Sequence, residues 1–166
     1  MTLKAILVIG PSYCGKSYFI DTVINQKAWC KVIYVGDLCR AKSKKIGRAL
    51  NHVYEASEIA EIVGAVLENE PNETGVWIID NLFKTKEGIK AIDLLHLDDV
   101  IVYLVKDVRT KVDFSSRGRE DDQYIQAKRE IWASEEAGIL EELDRRDLVV
   151  RTVLNTDNGF LITGCD

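Results

Sequence analysis

The chain has 166 residues, 46% of them apolar and 30% charged, with a formal net charge of −5. That length fits one domain, and folding buries about two-thirds of the unfolded surface, so no disulfide or metal staple is needed. The acidic balance argues against a general nucleic-acid binder, which needs an electropositive face, whereas a local cluster of Arg and Lys suffices for a small anionic ligand.

Leu3–Ile9 is a near-continuous apolar run, the pattern of a strand buried on both faces of a parallel sheet. A breaker cluster follows, and Lys16–Asn25 reads as a helix. Lys31–Val35 fits a second strand, and helical patterns follow at about 38–52 and 57–69. Pro71-Asn72 and Gly75 punctuate a loop before Val76–Asp80, a third buried strand that ends on a carboxylate. Lys86–Leu95 reads as a helix, Val100–Val105 as a fourth strand and Val108–Ser116 as a further helix. Asp121–Ala137 is a longer helix with a short continuation at Ile139–Leu143, and Leu148–Leu154 is a fifth strand. Phe160–Ile162 either adds a short strand or packs down. Strands alternating with helices imply an α/β fold: one domain over residues 1–166, built on a five-stranded parallel sheet with helices on both faces.

Cys14, Cys30, Cys39 and Cys165 form no CxxC pair and only two histidines accompany them, which argues against a zinc site. Scattered thiols act as apolar fillers and fit a reducing, cytoplasmic compartment. The run at Ala5–Ile9 is too short for a secretory leader, and no segment is long enough to span a membrane.

Gly10-Pro11-Ser12-Tyr13-Cys14-Gly15-Lys16-Ser17 matches GxxxxGK[ST] in full, after a buried strand and before a helix. In such a loop successive N–H groups turn inward as an anion nest, and the helix N-terminus adds positive charge beside it. Lys16 then reaches the β- and γ-phosphates of a nucleoside triphosphate, and the Ser17 hydroxyl is a hard ligand for Mg²⁺. Gly10, Ser12, Tyr13, Cys14, Gly15 and Tyr18 complete the expected ATP-binding set. Asp80, at the open end of the third strand, is the second candidate to hold Mg²⁺.

Three further segments resemble the nucleoside monophosphate kinases, adenylate kinase and its short-lid relatives, from about residue 4 to about residue 154. Gly36-Asp37-Leu38-Cys39-Arg40 is similar to the family's G-D-hydrophobic-x-R, whose arginine grips the acceptor phosphate; Arg40, with Asp37 beside it, would inherit that role. Asp80-Asn81-Leu82-Phe83-Lys84-Thr85 falls where the family has D-G-F-P-R-T. Lys84 stands for an acceptor-binding arginine, keeping the charge without the planar fork. Gly88 stands where adenylate kinases carry the glutamine that reads adenine. Gly118-Arg119-Glu120-Asp121-Asp122 matches G-R-x-D-D, which gives Arg119 the transferring phosphoryl group; Lys128 and Arg129 are the candidates for a further family arginine.

The resemblance implies a P-loop NTPase three-layer sandwich with a mobile acceptor-binding insertion at about 38–69 and a short lid at about 107–119. Arg109, Lys111 and Arg117 make that lid basic, and it has no cysteine for zinc. Tyr54 and Phe83 are the candidates for stacking on the acceptor base, whereas Trp29, Trp77 and Trp132 are read as core and His52 and His96 as surface residues. The implied activity is transfer of the ATP γ-phosphoryl to a (deoxy)nucleoside monophosphate, with ATP and Mg²⁺ as cofactors, no membrane partner, and a monomer or small homo-oligomer. Lys16, Asp80, Arg119 and Arg129 are its expected catalytic residues. The alternatives are a P-loop kinase acting on another small molecule or a polynucleotide end, and a nucleotide-binding module without turnover. Phosphoryl transfer needs alignment and cations rather than a general base, so the lack of a Cys/His pair is expected.

Overall fold

In β1 (Leu3–Ile9), Ala5, Leu7 and Ile9 belong to one apolar cluster and Ile6 and Val8 to another. Both faces of this strand are therefore covered, as a central parallel strand requires. The computed structural model describes residues 3–112, 118 and 122–163. Within them β1 leads to α1 (Lys16–Phe19), which continues as a π-helical turn over Ile20–Ile24. Next come β2 (Lys31–Tyr34), α2 (Val35–Ile46), α3 (Ala56–Asn69) and β3 (Val76–Asp80). A 3₁₀ turn at Glu87–Lys90 precedes α4 (Ala91–Leu94) and β4 (Leu97–Asp107). After another 3₁₀ turn at Asp122–Tyr124, α5 (Ile125–Arg145) is followed by β5 (Val149–Thr156) and β6 (Gly159–Thr163).

The sheet order is β2-β3-β1-β4-β5-β6. Strands β1 to β5 run parallel, whereas β6 is antiparallel to β5. The expected five-stranded parallel sheet is thus corrected to a six-stranded mixed one. The physical reason is the turn at Asp157-Asn158, ahead of Gly159 at φ +116, a two-residue link that returns the chain as a hairpin. One face of the sheet packs Leu7, Trp77, Ile79, Val102 and Leu104 against residues of α3, α4 and α5. The other packs Val8, Ile78, Tyr103 and Val105 against Phe19 and Ile20.

Several boundaries differ from the sequence reading. Helix α2 starts at Val35, straight out of β2, and stops at Gly47, whose φ of +72 makes a left-handed cap, so residues 47–52 are not helical. Residues 108–112 are not helical either, and the rest of the helix expected at Val108–Ser116 lies outside the described residues. The two pieces expected at Asp121–Ala137 and Ile139–Leu143 are one helix in the described range, running through Gly138, which packs beside the Lys86 stem. Trp77 and Trp132 are core residues as expected, but Trp29 is 70% exposed, with the Lys27 ammonium 5.0 Å from its ring. Among the described residues no helix is long and apolar enough to cross a membrane.

The last turn of α5 is fixed by ion pairs. Glu142 accepts hydrogen bonds from Arg145 and Arg146, and Arg146 forks onto both carboxylate oxygens of Asp93 at 2.8 and 2.9 Å. Hydrogen bonds from Arg145 and then Arg146 draw the Glu142 carboxyl down to about 2. A folded-state value below the unfolded one adds stability that is present above the usual glutamate range and is lost as pH falls through it toward the depressed value. Between pH 5 and pH 2 the urea midpoint of the wild type should therefore fall more steeply than that of Glu142→Gln. Parallel slopes would show that this pair contributes nothing to acid sensitivity.

Candidate functional site

Because β1 to β5 are parallel, their C-terminal ends share one edge of the sheet. Register places Val8 beside Asp80, Asp80 beside Tyr34, and Asp107 beside Asn155. The chain crosses from β3 over β1 to β4, so the strand order reverses at β1, where open α/β sheets bind ligands. The loop at residues 10–17 leaves the sheet at that point.

Two glycines in this loop are sterically required. A Cβ on Gly10 would lie 2.6 Å from the Val105 carbonyl oxygen, and one on Gly15, at φ +97, would lie 2.5 Å from the Asn155 amide nitrogen. Tyr13 is also left-handed, at φ +62. Side chains hold the loop carbonyls, one from within the motif and the others from distant elements. Lys16 Nζ donates to the oxygens of Gly10 (3.1 Å) and Pro11 (2.7 Å). Arg129 Nε donates to Ser12 O at 2.7 Å, and Tyr13 O accepts from Arg109 at 2.9 Å and Arg129 at 3.3 Å. Asn155 Nδ2 donates to Cys14 O at 3.0 Å, and the Phe19 amide to Gly15 O at 2.9 Å. In a trans peptide the N–H points opposite to the C=O, so carbonyls drawn toward these donors turn the next amides away from them. That arrangement suits an anion nest.

Asp107 ties the two arginines together. Its carboxylate, 5% exposed, accepts from Arg109 at 2.8 and 2.9 Å and from Arg129 at 2.7 Å. Burial pushes this carboxyl up, but the bonds from Arg109 and Arg129 outweigh it and hold it below the usual range. Within the loop, burial pushes the Cys14 thiol up, against the nearby Lys16 charge, and keeps it protonated as a filler.

Ser17 Oγ donates to Asp80 Oδ2 at 3.1 Å, with Asp80 buried. Neighbouring vertices of an octahedron with Mg²⁺–oxygen bonds of 2.0–2.1 Å lie about 2.9 Å apart, so this hydroxyl and carboxylate fit the ion. Among the described residues no group of three or more His, Cys, Asp or Glu converges on a metal position. Water and ligand phosphate would complete the shell, as Mg²⁺ commonly requires.

The loop faces a cleft of about 300 Å³. Lys16, Arg40, Lys84, Arg109 and Lys128 line it, against the carboxylates of Asp37 and Asp80. Arg40 pairs with Asp37, and its guanidinium lies over Gly36, where a Cβ would be 3.2 Å away. Tyr18 lines the mouth, its ring centroid 5.9 Å from that of Phe160.

Three expected residues are placed differently. Phe83 is a core side chain, 2% exposed. Tyr54 is 8% exposed, its hydroxyl 2.6 Å from Ser43 Oγ and its ring against Arg48 and His52. Neither lines the main cleft, whose aromatic lining is Tyr13, Tyr18, Tyr34, His52 and the buried Trp132. Arg129 also does not line the cleft; its guanidinium is turned to Asp107 and the back of the loop. Arg119 lies outside the described residues.

Sequence reasoning missed Asp107, Asn155, Tyr34 and Asn81. Burial and the charges of Asp21, Asp80 and Asp37 push the Tyr34 phenol up to about 12, so it remains a neutral hydrogen-bonding group in the cleft wall. Asn81, at φ +64, donates its backbone amide to Val8 O at 2.7 Å, while its side-chain oxygen is buried with no hydrogen-bond partner among the described residues. The signal available for Asp107 and Asn155 was their place at the C-terminal ends of parallel strands. The chain matches no known protein family, and no curated protein is significantly similar to it.

Asp80→Asn should leave Mg²⁺-free binding of a triphosphate analogue nearly unchanged and weaken its Mg²⁺-supported binding about tenfold, or 1.4 kcal/mol. Titration calorimetry with and without Mg²⁺ measures both. Equal Mg²⁺ enhancement in the variant would remove Asp80 from the metal site.

Proposed function

We propose that this chain is an ATP- and Mg²⁺-dependent phosphotransferase of the nucleoside monophosphate kinase kind, acting at the C-terminal edge of its parallel strands. One observation carries the reading. The phosphate loop with its Ser17–Asp80 pair and a second cationic group, Arg40 and Lys84, open onto the same cleft. A site for one phosphorylated ligand needs the first; a site that aligns two phosphorylated ligands needs both.

In this reading the loop amides hold the triphosphate, and the Lys16 ammonium exchanges the Gly10 and Pro11 carbonyls for β- and γ-phosphate oxygens. Ser17 and Asp80 are the residues that would hold Mg²⁺, which when bound would supply charge neutralisation at the phosphates. Arg40, released from Asp37, takes the acceptor phosphate with two parallel hydrogen bonds, while Lys84 adds a point charge. Lys128 lines the wall near the transferring group, and Arg119 keeps its role from the G-R-E-D-D resemblance. The acceptor phosphate is itself the nucleophile, so no general base is assigned. A side chain at Gly88 would lie 2.9 Å from the Phe83 Cβ, so a long base-reading residue does not fit there. The Asn81 side-chain oxygen, without a hydrogen-bond partner among the described residues, offers an acceptor nearby.

Incubation with ATP, Mg²⁺ and each ribo- and deoxynucleoside monophosphate in turn, followed by separation of products, should yield a diphosphate from at least one acceptor. Lys16→Met should reduce that rate at least about a hundredfold, since it removes a charge from the transferring phosphoryl. Triphosphate binding without product from any acceptor would refute the kinase reading and leave a binding module. Undiminished turnover by Lys16→Met would refute the site.

A further inference from the structure

We infer that Asp107, Arg109 and Arg129 form an outer brace that holds the phosphate loop in its anion-accepting shape while Lys16 changes partners. The inference rests on the loop's binding a triphosphate, and not on which acceptor is phosphorylated.

The loop carbonyls fall into two sets. Those of Gly10 and Pro11 depend on Lys16, the group that must leave them to reach a phosphate. Those of Ser12 and Tyr13 depend on Arg129 and Arg109. A donor that stays behind the loop fixes these two peptide planes before and after the ligand arrives, so the amides of Tyr13 and Cys14 keep their direction. Tyr13 needs this restraint, because its left-handed backbone is unfavourable for a residue with a Cβ, and the Arg109 guanidinium lies 5.8 Å from its ring centroid. Asp107 determines which way the guanidiniums face. In each guanidinium the Nη2 that donates to Asp107 also donates to Tyr13 O, and Arg129 Nε donates to Ser12 O, so the carboxylate and the carbonyls hold the same planar groups between them.

Arg129 is thereby a positioning residue, set apart from the arginines that line the cleft. A residue that touches the transferring phosphoryl acts on kcat, whereas one that shapes the nest acts on triphosphate affinity. Titration calorimetry with ATPγS and Mg²⁺, together with steady-state kinetics, separates these roles for Arg129→Met, Arg129→Lys and Asp107→Asn. The brace predicts that Arg129→Met weakens ATPγS binding about tenfold or more, while the acceptor KM stays within about twofold. Arg129→Lys, which keeps one donor for Ser12 O, should recover part of the loss, and Asp107→Asn should weaken ATPγS binding in the same sense. Circular dichroism melts confirm that the variants compared are folded, and the lysine variant serves if the methionine one is not. Unchanged ATPγS affinity with kcat down about a hundredfold would place the guanidinium on the transferring group and overturn the brace. A matching rise in acceptor KM would overturn it too. Wild-type protein that binds ATPγS but phosphorylates no monophosphate would refute the acceptor assignment alone, and the affinity comparison would still decide the brace.

Discussion

A peptide carbonyl drawn out of water needs a donor, and the loop after β1 has five such groups in a row, at residues 10 to 14. Each finds one, from Lys16, Arg129, Arg109 or Asn155. An unsatisfied buried carbonyl costs about 1–3 kcal/mol, so a loop lacking these partners would rotate its peptides to find water or its own amides. With the acceptor side of the backbone committed, the donor side is left for an anion. The local sequence supplies the glycines that permit this turn; the donors that fix it come from β5, α5 and the segment following β4.

The sheet makes that convergence possible. Parallel pairing brings the ends of β1, β3, β4 and β5 to one edge, so Asp80, Asp107 and Asn155 gather around the loop without any motif linking them. The hairpin at Asp157-Asn158 continues the arrangement. Asp157 accepts from the amide and the hydroxyl of Thr110, at 3.0 and 2.7 Å, which fastens the chain just after Arg109. The two apolar clusters on either face of the sheet keep the strand ends in register, so the geometry of the polar edge is set by burial of Leu7, Val8, Ile78 and Ile79.

Much of this was legible in the sequence, and what was not has identifiable physical causes. The glycine spacing and the buried runs on both sides located the loop, and a carboxylate closing an apolar strand located Asp80. Arg40 and Lys84 were found through segments whose residue types and spacing resemble a family, and both do line the cleft. The brace was hidden because its members lie far apart in the chain and no spacing rule joins them. Tyr54 and Phe83 line a small pocket beside the cleft rather than the cleft itself, because an aromatic residue near a binding segment looks the same in sequence whichever cavity its ring meets. Arg129 was seen as a cation, but the direction of its guanidinium depends on Asp107, which only the folded strand end brings near. The last strand stayed ambiguous because three apolar residues suffice for either a strand or a packed tail.

The partners of the loop also bear on how the molecule is made. Tyr13, Ser12 and Cys14 receive their side-chain donors from residues 96, 117 and 141 positions downstream. A growing chain therefore emerges with its glycine-rich loop complete in composition but lacking the donors that shape it. Closing such long loops is entropically slow and must precede the contacts that reward it. The loop therefore takes its braced shape only once α5 and β5 have packed against it, and not in the early stages of assembly.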